Sequence, residues 1–486
     1  MVPQDTQIGI HEPTVANRIT FHVSEWRSMA NEIALNTTLN LETVQAGEQP
    51  RLLYLLVDVR PGEGGVTVQA PVNMAVVLDV SESMRLPVLT QAQFKELSAL
   101  GHVQQTVSDG VPVWTFRTIP PHIREQAPSN LEAVQSAISQ AATHFEEGDR
   151  ISLVAFADRA EVMLRGLGGS ETSQLLSAVT QLSTQQLGDN TEIAEGLREG
   201  LAEVLRAASP EMVNRVLVLT DGFTRDPERV RELANQARKS RVAVSTLGIG
   251  SDFNERLLVE MADASHGNAY FARVPNDIPP AFQQELAAVQ SVTLRNVDIQ
   301  VRLSAGVELR RAYRVRPAIS AVVDARRQGR VASVSMGDLD PANPPALLVE
   351  LIVPTQPRGT FRIAGISLNH QTPEGTQVAA TQDVVIRYSM SKEREVPNPT
   401  VMNTVEKVTA YVLQTRALND MAAGNISAAT QRLRAAVTRL LTVGETDLAQ
   451  AVEAEAARLE QSGQVSPEGA KEIRYATRKL TQRLDA

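Results

Sequence analysis

The chain has 486 residues, 43% hydrophobic and 21% charged, with a formal net charge of −9 and no cysteine. This composition supports cores of ordinary size, and the length fits about three domains. The acidic balance argues against nucleic acid and anionic membrane as main partners. Without cysteine there are no disulfides, thiolate metal sites or thiol catalysis.

The stretch Met1 to Ile19 is polar, is broken by Pro3 and Pro13, and lacks the apolar core of a signal peptide. No run approaches the ~18 apolar residues that span a bilayer, so the expectation is a soluble, cytoplasmic protein with no membrane span. Residues 17–72 read as strands. Leu35 to Val44 alternates polar and apolar and Leu52 to Val59 is strongly apolar, with turn signals at Ala46-Gly47 and Pro61-Gly62-Glu63-Gly64-Gly65.

From 73 to 290 short apolar runs (Met74–Leu78, Ile151–Ala157, Val216–Leu219, Val242–Ile249) alternate with segments of helical spacing. Unbroken runs of this length fit strands buried on both faces of a parallel sheet. Leu131, Val134, Ile138 and Phe145 share one face of the first clear helix, which Ser129 is placed to cap. The alternation predicts a doubly wound α/β domain. Residues 291–390 return to strands, with Val292–Val301, Val331–Val334, Ala346–Ile352, Thr360–Ile366 and Gln377–Tyr388 as candidates. They are read with 17–72 as one antiparallel β-sandwich into which the α/β domain is inserted, since inserted domains commonly have neighbouring termini.

Residues 398–486 follow Pro397-Asn398-Pro399 as a helical bundle. Val401, Val405, Val408 and Val412 mark one face, and Ile426, Ala429, Leu433, Val437 and Leu440 another. Two further helices are expected at about 446–461 and 467–484. The Ala423-Gly424-Asn425 turn is similar to the hairpin of a tetratricopeptide repeat, but one hairpin without a second copy reads as a plain αα-hairpin. Lys471, Arg474, Arg478, Lys479 and Arg483 read as the solvated face of the last helix, with a docking surface for an acidic partner as the alternative.

The chemistry lies where strands end. Asp79-Val80-Ser81-Glu82-Ser83 follows one apolar run and Thr220-Asp221-Gly222 another. In open α/β sheets, sites form outside the carboxyl ends of strands. Gly188-Asp189-Asn190-Thr191, ahead of the helix beginning at Glu192, is placed to add a further hydroxyl. The set is therefore Asp79, Ser81, Ser83, Thr191 and Asp221: five hard oxygen donors, suited to Mg²⁺ first, or to Mn²⁺ or Ca²⁺, and poorly suited to zinc. Two carboxylates with neutral hydroxyls leave a six-coordinate cation short of ligands, so an outer position is open to a partner carboxylate.

The D-x-S-x-S loop, the later Thr and the L-T-D-G strand end resemble, in this order, the metal-ion-dependent adhesion site (MIDAS) of von Willebrand factor type A (vWA) domains. The resemblance covers about 73–290 and includes the closing Gly248-Ile249-Gly250 and Gly267-Asn268-Ala269-Tyr270-Phe271 segments. It implies a Rossmann-like sheet, the five residues above as ligands directly or through water, and recognition of an acidic residue on a partner. The plan with a flanking sandwich is similar to bacterial vWA proteins. Glu82 stands where many members have Gly, and Asp189 precedes Thr191 where many have a second Gly; both are candidate modulators of the ion and of partner binding.

Residues 85–128 form an insertion beside the metal loop. It holds a possible helix (Gln91–Leu100) and a candidate hairpin (Val103–Val107, Val111–Phe116) turning at Asp109-Gly110. Trp114 and Phe116 either contact a partner at the rim of the site or pack the hairpin onto the domain.

The resulting expectation is a metal-dependent protein-binding scaffold or adaptor, not an enzyme. The resemblance implies a possible MoxR-type or chelatase-type AAA+ ATPase partner, which must be a separate chain because no G-x-x-x-x-G-K-[ST] loop occurs here. The alternatives are an extracellular or cell-surface adhesion protein and, third, a metal-assisted hydrolase, against which stands the lack of H-E-x-x-H, G-x-S-x-G or an evident general base.

Overall fold

The computed structural model describes residues 33–47, 49–61, 70–108, 111–322, 326–372, 375–390 and 395–481. The signal-peptide reading of Met1 to Ile19, the turns at Gly62-Glu63-Gly64-Gly65 and Asp109-Gly110, and Arg483 of the basic stripe lie outside them. The α/β domain is a six-stranded sheet in the order Ala269–Ala272, Ala243–Ile249, Val213–Thr220, Val72–Asp79, Arg150–Phe156, Ala160–Gly168. All neighbours are parallel except the last pair. Val72–Asp79 lies at its centre and every residue of it is buried, which is why it reads as an unbroken apolar run. Helices Asn130–Ala141, Thr172–Gln181 and Ile278–Gln290 cover one face. Helices Ile193–Ala207, Pro227–Lys239 and Glu255–Ser265 cover the other.

The sandwich is built from both flanks. One sheet runs Ile33–Leu39, Arg51–Pro61, Ala346–Val353, Glu308–Arg316, Ser320–Ala321, all antiparallel. The other runs Arg326–Gln328, Val331–Leu339, Leu294–Leu303, Gly359–Thr372, Gly375–Ser389, Thr43–Gln45. Leu53 sits opposite Leu351 and Val44 opposite Tyr388, so segments on either side of the α/β domain pair directly. The long helix Pro399–Ala422 closes the outer face of the first sheet, where Val401, Val405 and Val408 share a core with Leu56, Tyr313 and Leu348. Burial on both faces explains the continuous apolar runs of Arg51–Pro61 and Ala346–Val353. Leu294–Leu303, by contrast, alternates: Val297, Ile299 and Val301 are buried, while Asp298, Gln300 and Arg302 line a polar cleft of about 1020 Å³ against the α/β domain.

Two long strands are absent from the sequence reading, besides the short Ser320–Ala321 and Arg326–Gln328. Ala160–Gly168 is an edge strand with mostly half-exposed residues and no clean alternation. Glu308–Arg316 is masked by its arginines, yet Arg314 donates through Nε to the Ser335 carbonyl at 2.8 Å and Arg316 pairs with Asp58. A third difference concerns the last helix, Pro467–Arg478, expected to present a solvated basic face. Lys471 and Arg478 are instead buried against the α/β domain. Lys471 Nζ donates to the Ser251 carbonyl and lies 3.9 Å over the Phe253 ring; Arg474 pairs with Glu255 at 2.9 Å; both Arg478 Nη atoms bond Asp263 at 2.6 Å. The basic stripe thus meets an acidic surface of its own chain.

His266 ends the helix Glu255–Ser265 in a left-handed conformation (φ 66°) and packs against Gly337 of the sandwich, where a Cβ would come within 2.8 Å of its own Cβ. Neither ring nitrogen reaches solvent or has a partner among the described residues. Burial, with Arg314 and Arg238 adding repulsion, pushes its pKa down to about 3. A base depressed on folding binds fewer protons than in the unfolded chain, so its stability contribution is complete above pH ~6.5 and is lost as pH falls toward 3. Between pH 7 and pH 5 the loss is about 2 kcal/mol. Urea unfolding of the wild type and of His266→Asn, which tolerates the same backbone, is expected to show a flatter pH dependence in the variant; equal slopes would remove His266 as the cause.

Candidate metal centre

Asp79 ends the central strand, and its carboxylate is wholly buried at the carboxyl edge of the sheet. Its Oδ1 accepts from the Ser81 amide at 2.9 Å; its Oδ2 accepts from Thr220 Oγ1 at 2.6 Å and from Thr191 Oγ1 at 3.4 Å. The short turn Glu82–Arg85 then lifts Ser83 into the open, with Ser81 and Ser83 hydroxyls 3.2 Å apart. Ser83 Oγ donates to Asp221 Oδ1 at 2.7 Å, and Asn130 Nδ2 donates to Asp221 Oδ2 at 3.1 Å. The five predicted donors, spread over 143 positions of sequence from Asp79 to Asp221 inclusive, therefore meet in one continuous hydrogen-bonded cluster.

Close backbone approach makes this possible. A Cβ on Gly222 would stand 2.4 Å from Thr191 Oγ1, so only glycine lets the Asp221 and Thr191 loops touch. In the helix Ile193–Ala207, a Cβ on Gly200 would meet Val77 at 2.3 Å and one on Gly196 would meet Phe156 at 2.5 Å. These gaps draw the helix onto the sheet and bring Thr191 to Asp79. Gly188 takes φ +110°, and the turn after it is fixed by Asp158, which accepts from the Asp189 amide at 3.2 Å and from Asn190 Nδ2 at 2.7 Å.

The electrostatics suit a cation. Burial and the nearby Asp221 push Asp79 up to about 7 despite its hydrogen bonds. Burial also raises Asp221 against the bonds from Ser83 and Asn130, and Asp252 adds repulsion. Two buried carboxylates that disfavour each other's charge are stabilised by a positive ion between them. Among the described residues no three His, Cys, Asp or Glu side chains converge as a metal site; the set here is two carboxylates and three hydroxyls. That chemistry fits a hard divalent cation that keeps part of its coordination for water or a partner.

Glu82 and Asp189 are exposed beside the candidate donors. Phe116 is half-buried at the base of the insertion's hairpin, opposite Val103, outside the ligand cluster, and nothing is described of the Trp114 side chain. The insertion itself is ordered around Leu97, Ile123 and Ala127, all buried. It leaves just after Ser83 and returns at Ser129 and Asn130, so both its stems adjoin residues bonded to Asp221. Sequence reasoning passed over Asn130, Thr220 and Asp158. Thr220 was visible as the residue before Asp221; Asn130 and Asp158 become legible only once the loops are placed.

Comparison with known proteins agrees with this fold. Residues 125–284 match the von Willebrand factor type A domain, and residues 399–483 match the Sll0103-like, C-terminal alpha-helical domain. The chain is 25% identical over 257 residues to the uncharacterized protein sll0103 of Synechocystis sp., covering 52% of this chain and 60% of that one. It is 24% identical over 179 residues to the uncharacterized protein YfbK of Escherichia coli, covering 36% and 31%. It thus spans less than two thirds of either relative. Among solved structures, a von Willebrand factor type A protein from Catenulispora acidiphila superposes with a TM-score of 0.69 at 15% identity, over 92% of this chain and 97% of that one. The ArnB paralog VWA2 from Sulfolobus acidocaldarius does so with 0.53 at 16%, over 93% and 99%. The chain thus carries a von Willebrand factor type A domain, flanked by a β-sandwich and followed by an Sll0103-like helical domain.

Proposed function

We propose that this protein is a binding module rather than an enzyme, and that Asp79, Ser81, Ser83, Thr191 and Asp221 hold a divalent cation, Mg²⁺ before Mn²⁺ or Ca²⁺, through which a protein partner is recognised. The observation that carries this reading is the meeting of the five donors around two buried, mutually repelling carboxylates at the open edge of the sheet. A cation bound there offers a coordination position to a carboxylate on the partner. The residues of the chain do the rest. Asp79 and Asp221 supply the charge, the hydroxyls keep the site neutral enough to leave the ion electrophilic, and Asn130 and Thr220 hold the carboxylates in place. No histidine stands in the cluster to move a proton, which favours binding over hydrolysis.

We place the module in a cytoplasmic assembly; among the described residues no helix is long and apolar enough to cross a membrane. The test is recovery of partners by the intact protein and by Asp221→Ala, in Mg²⁺ and in EDTA, after both are shown to fold. A partner lost in the variant and in EDTA is the expected result, and its identity decides whether it is an AAA+ ATPase. A partner retained under every condition would move binding to the sandwich or the helices and refute the metal-dependent reading.

A further inference from the structure

We propose that the metal face is built for one kind of occupant: an exposed protein segment whose carboxylate is flanked by an apolar side chain, seated on Phe223 and the Leu86–Val88 lip, and by a basic one. This rests on the metal-dependent reading above and adds the partner's local chemistry to it.

Phe223 is 60% exposed and is the one aromatic among the exposed large hydrophobic side chains of the described residues. Its position is not that of a free loop tip. Two residues before it, Asp221 is bonded to Ser83 and Asn130; between them Gly222 is pressed against Thr191; two residues after it, Arg225 Nη2 donates to Asn190 Oδ1 at 2.6 Å. The loop is thus tied at both ends to segments that carry the candidate donors, which holds Phe223 on the surface two residues from Asp221. An exposed, well-anchored aromatic is the typical anchor of a protein interface and is otherwise disfavoured on a solvated surface.

Leu86 and Val88 are also exposed, at 44% and 36%. The Leu86 amide bonds the Ser83 carbonyl, and the Val88 amide bonds the Pro128 carbonyl. These two side chains therefore form the stem of the insertion, between the two residues that bond Asp221. Exposed apolar residues thus occur on both chain segments that leave the cluster, after Ser83 and after Asp221. The exposed charges beside it are the acidic Glu82, Asp189 and Asp252, with Asp252 near enough to Asp221 to raise its pKa, while Arg85 on the same loop is turned to the carbonyls of Val80, Ser183 and Gln185. Arg225 is offset by Glu192 at 3.8 Å. A carboxylate arriving at such a rim is repelled unless cationic side chains accompany it, which selects a mixed acidic–basic segment over a purely acidic one.

The experiment is selection from a random linear peptide library displayed on phage, against the full-length protein in Mg²⁺, with elution by EDTA. The eluted pool is expected to centre on Asp or Glu, with apolar and Lys or Arg residues enriched at neighbouring positions. Phe223→Ala, a surface change, is expected to keep the acidic residue, lose the apolar bias, and weaken retention of the wild-type clones roughly tenfold, the scale of one aromatic anchor. Its Mn²⁺ affinity, measured by calorimetry, is expected to match the wild type. An EDTA-eluted pool with acidic residues but no apolar or basic bias, or one identical in Phe223→Ala, overturns this proposal while leaving the metal-dependent reading intact. A pool no larger than that from Asp79→Ala overturns both.

Discussion

Replacing Arg478 by Ala is expected to detach the last helix from the α/β domain and to cost about 3 kcal/mol, since removing one member of a buried ion pair strands the other. Arg478 is only 4% exposed, and both its terminal nitrogens bond the Asp263 carboxylate. Burial alone would lower its pKa, but Asp263 more than offsets this and raises it well above the ordinary arginine value. Its carbonyl accepts from the Ile319 amide of the sandwich at 2.8 Å, so this one residue ties all three domains. One turn away the Tyr475 ring stacks on Phe271 at 5.6 Å. The double variant with Asp263→Ala separates the pair from its surroundings: a coupling of about 2 kcal/mol is expected. Limited proteolysis of Arg478→Ala is expected to release the last helix under conditions where the wild type stays whole. A variant that melts with the wild type and resists the protease equally would mean that Tyr475 and the apolar contacts suffice.

The sequence showed this docking only as a basic stripe, because the acidic side chains that receive it, Glu255 and Asp263, lie more than 200 residues earlier. The same limit separates what was legible elsewhere. The centre of the α/β sheet announced itself, since Val72–Asp79 and Val213–Thr220 are buried on both faces and need unbroken apolar runs. The convergence of the five candidate donors was legible too, because hydroxyls and carboxylates at strand ends stand out from the strands that precede them. Glu308–Arg316 was not: its arginines are satisfied by Ser335 and Asp58, partners that periodicity cannot see. Asn130 was taken into the helix that Ser129 caps, and it is that cap, in which the Glu132 amide donates to Ser129 Oγ at 3.2 Å, that starts the helix where Asn130 meets Asp221. Local pattern fixes elements, while polar partners across domains follow from topology.

Asp79→Asn is expected to separate the two roles of its carboxylate with opposite signs. In the cation-free protein, Asp79 and Asp221 are buried together, and Asp79 is pushed up to about 7, first by burial and then by Asp221. An acid whose pKa rises on folding stabilises the protein fully below its unfolded value, and that contribution is lost as pH rises through 7. Asparagine keeps the volume and an acceptor for the Ser81 amide, and the Thr220 hydroxyl can rotate to accept from its amide. In EDTA above pH 7 the variant is therefore expected to be at least as stable as the wild type. With cation present the order reverses. A ligand at a hundred times its Kd stabilises the folded state by about 2.7 kcal/mol, which in a domain of this size raises Tm by roughly 5–10 °C. Only the wild type should show that rise, because the variant has lost one of the two charges that hold the ion. Thermal unfolding of both proteins at pH 8, in EDTA and in Mg²⁺, reads both effects. Equal Mg²⁺ shifts would place the ion elsewhere. A variant several degrees less stable in EDTA would mean that the Asp79 carboxylate is needed for its hydrogen bonds more than it suffers from its neighbour.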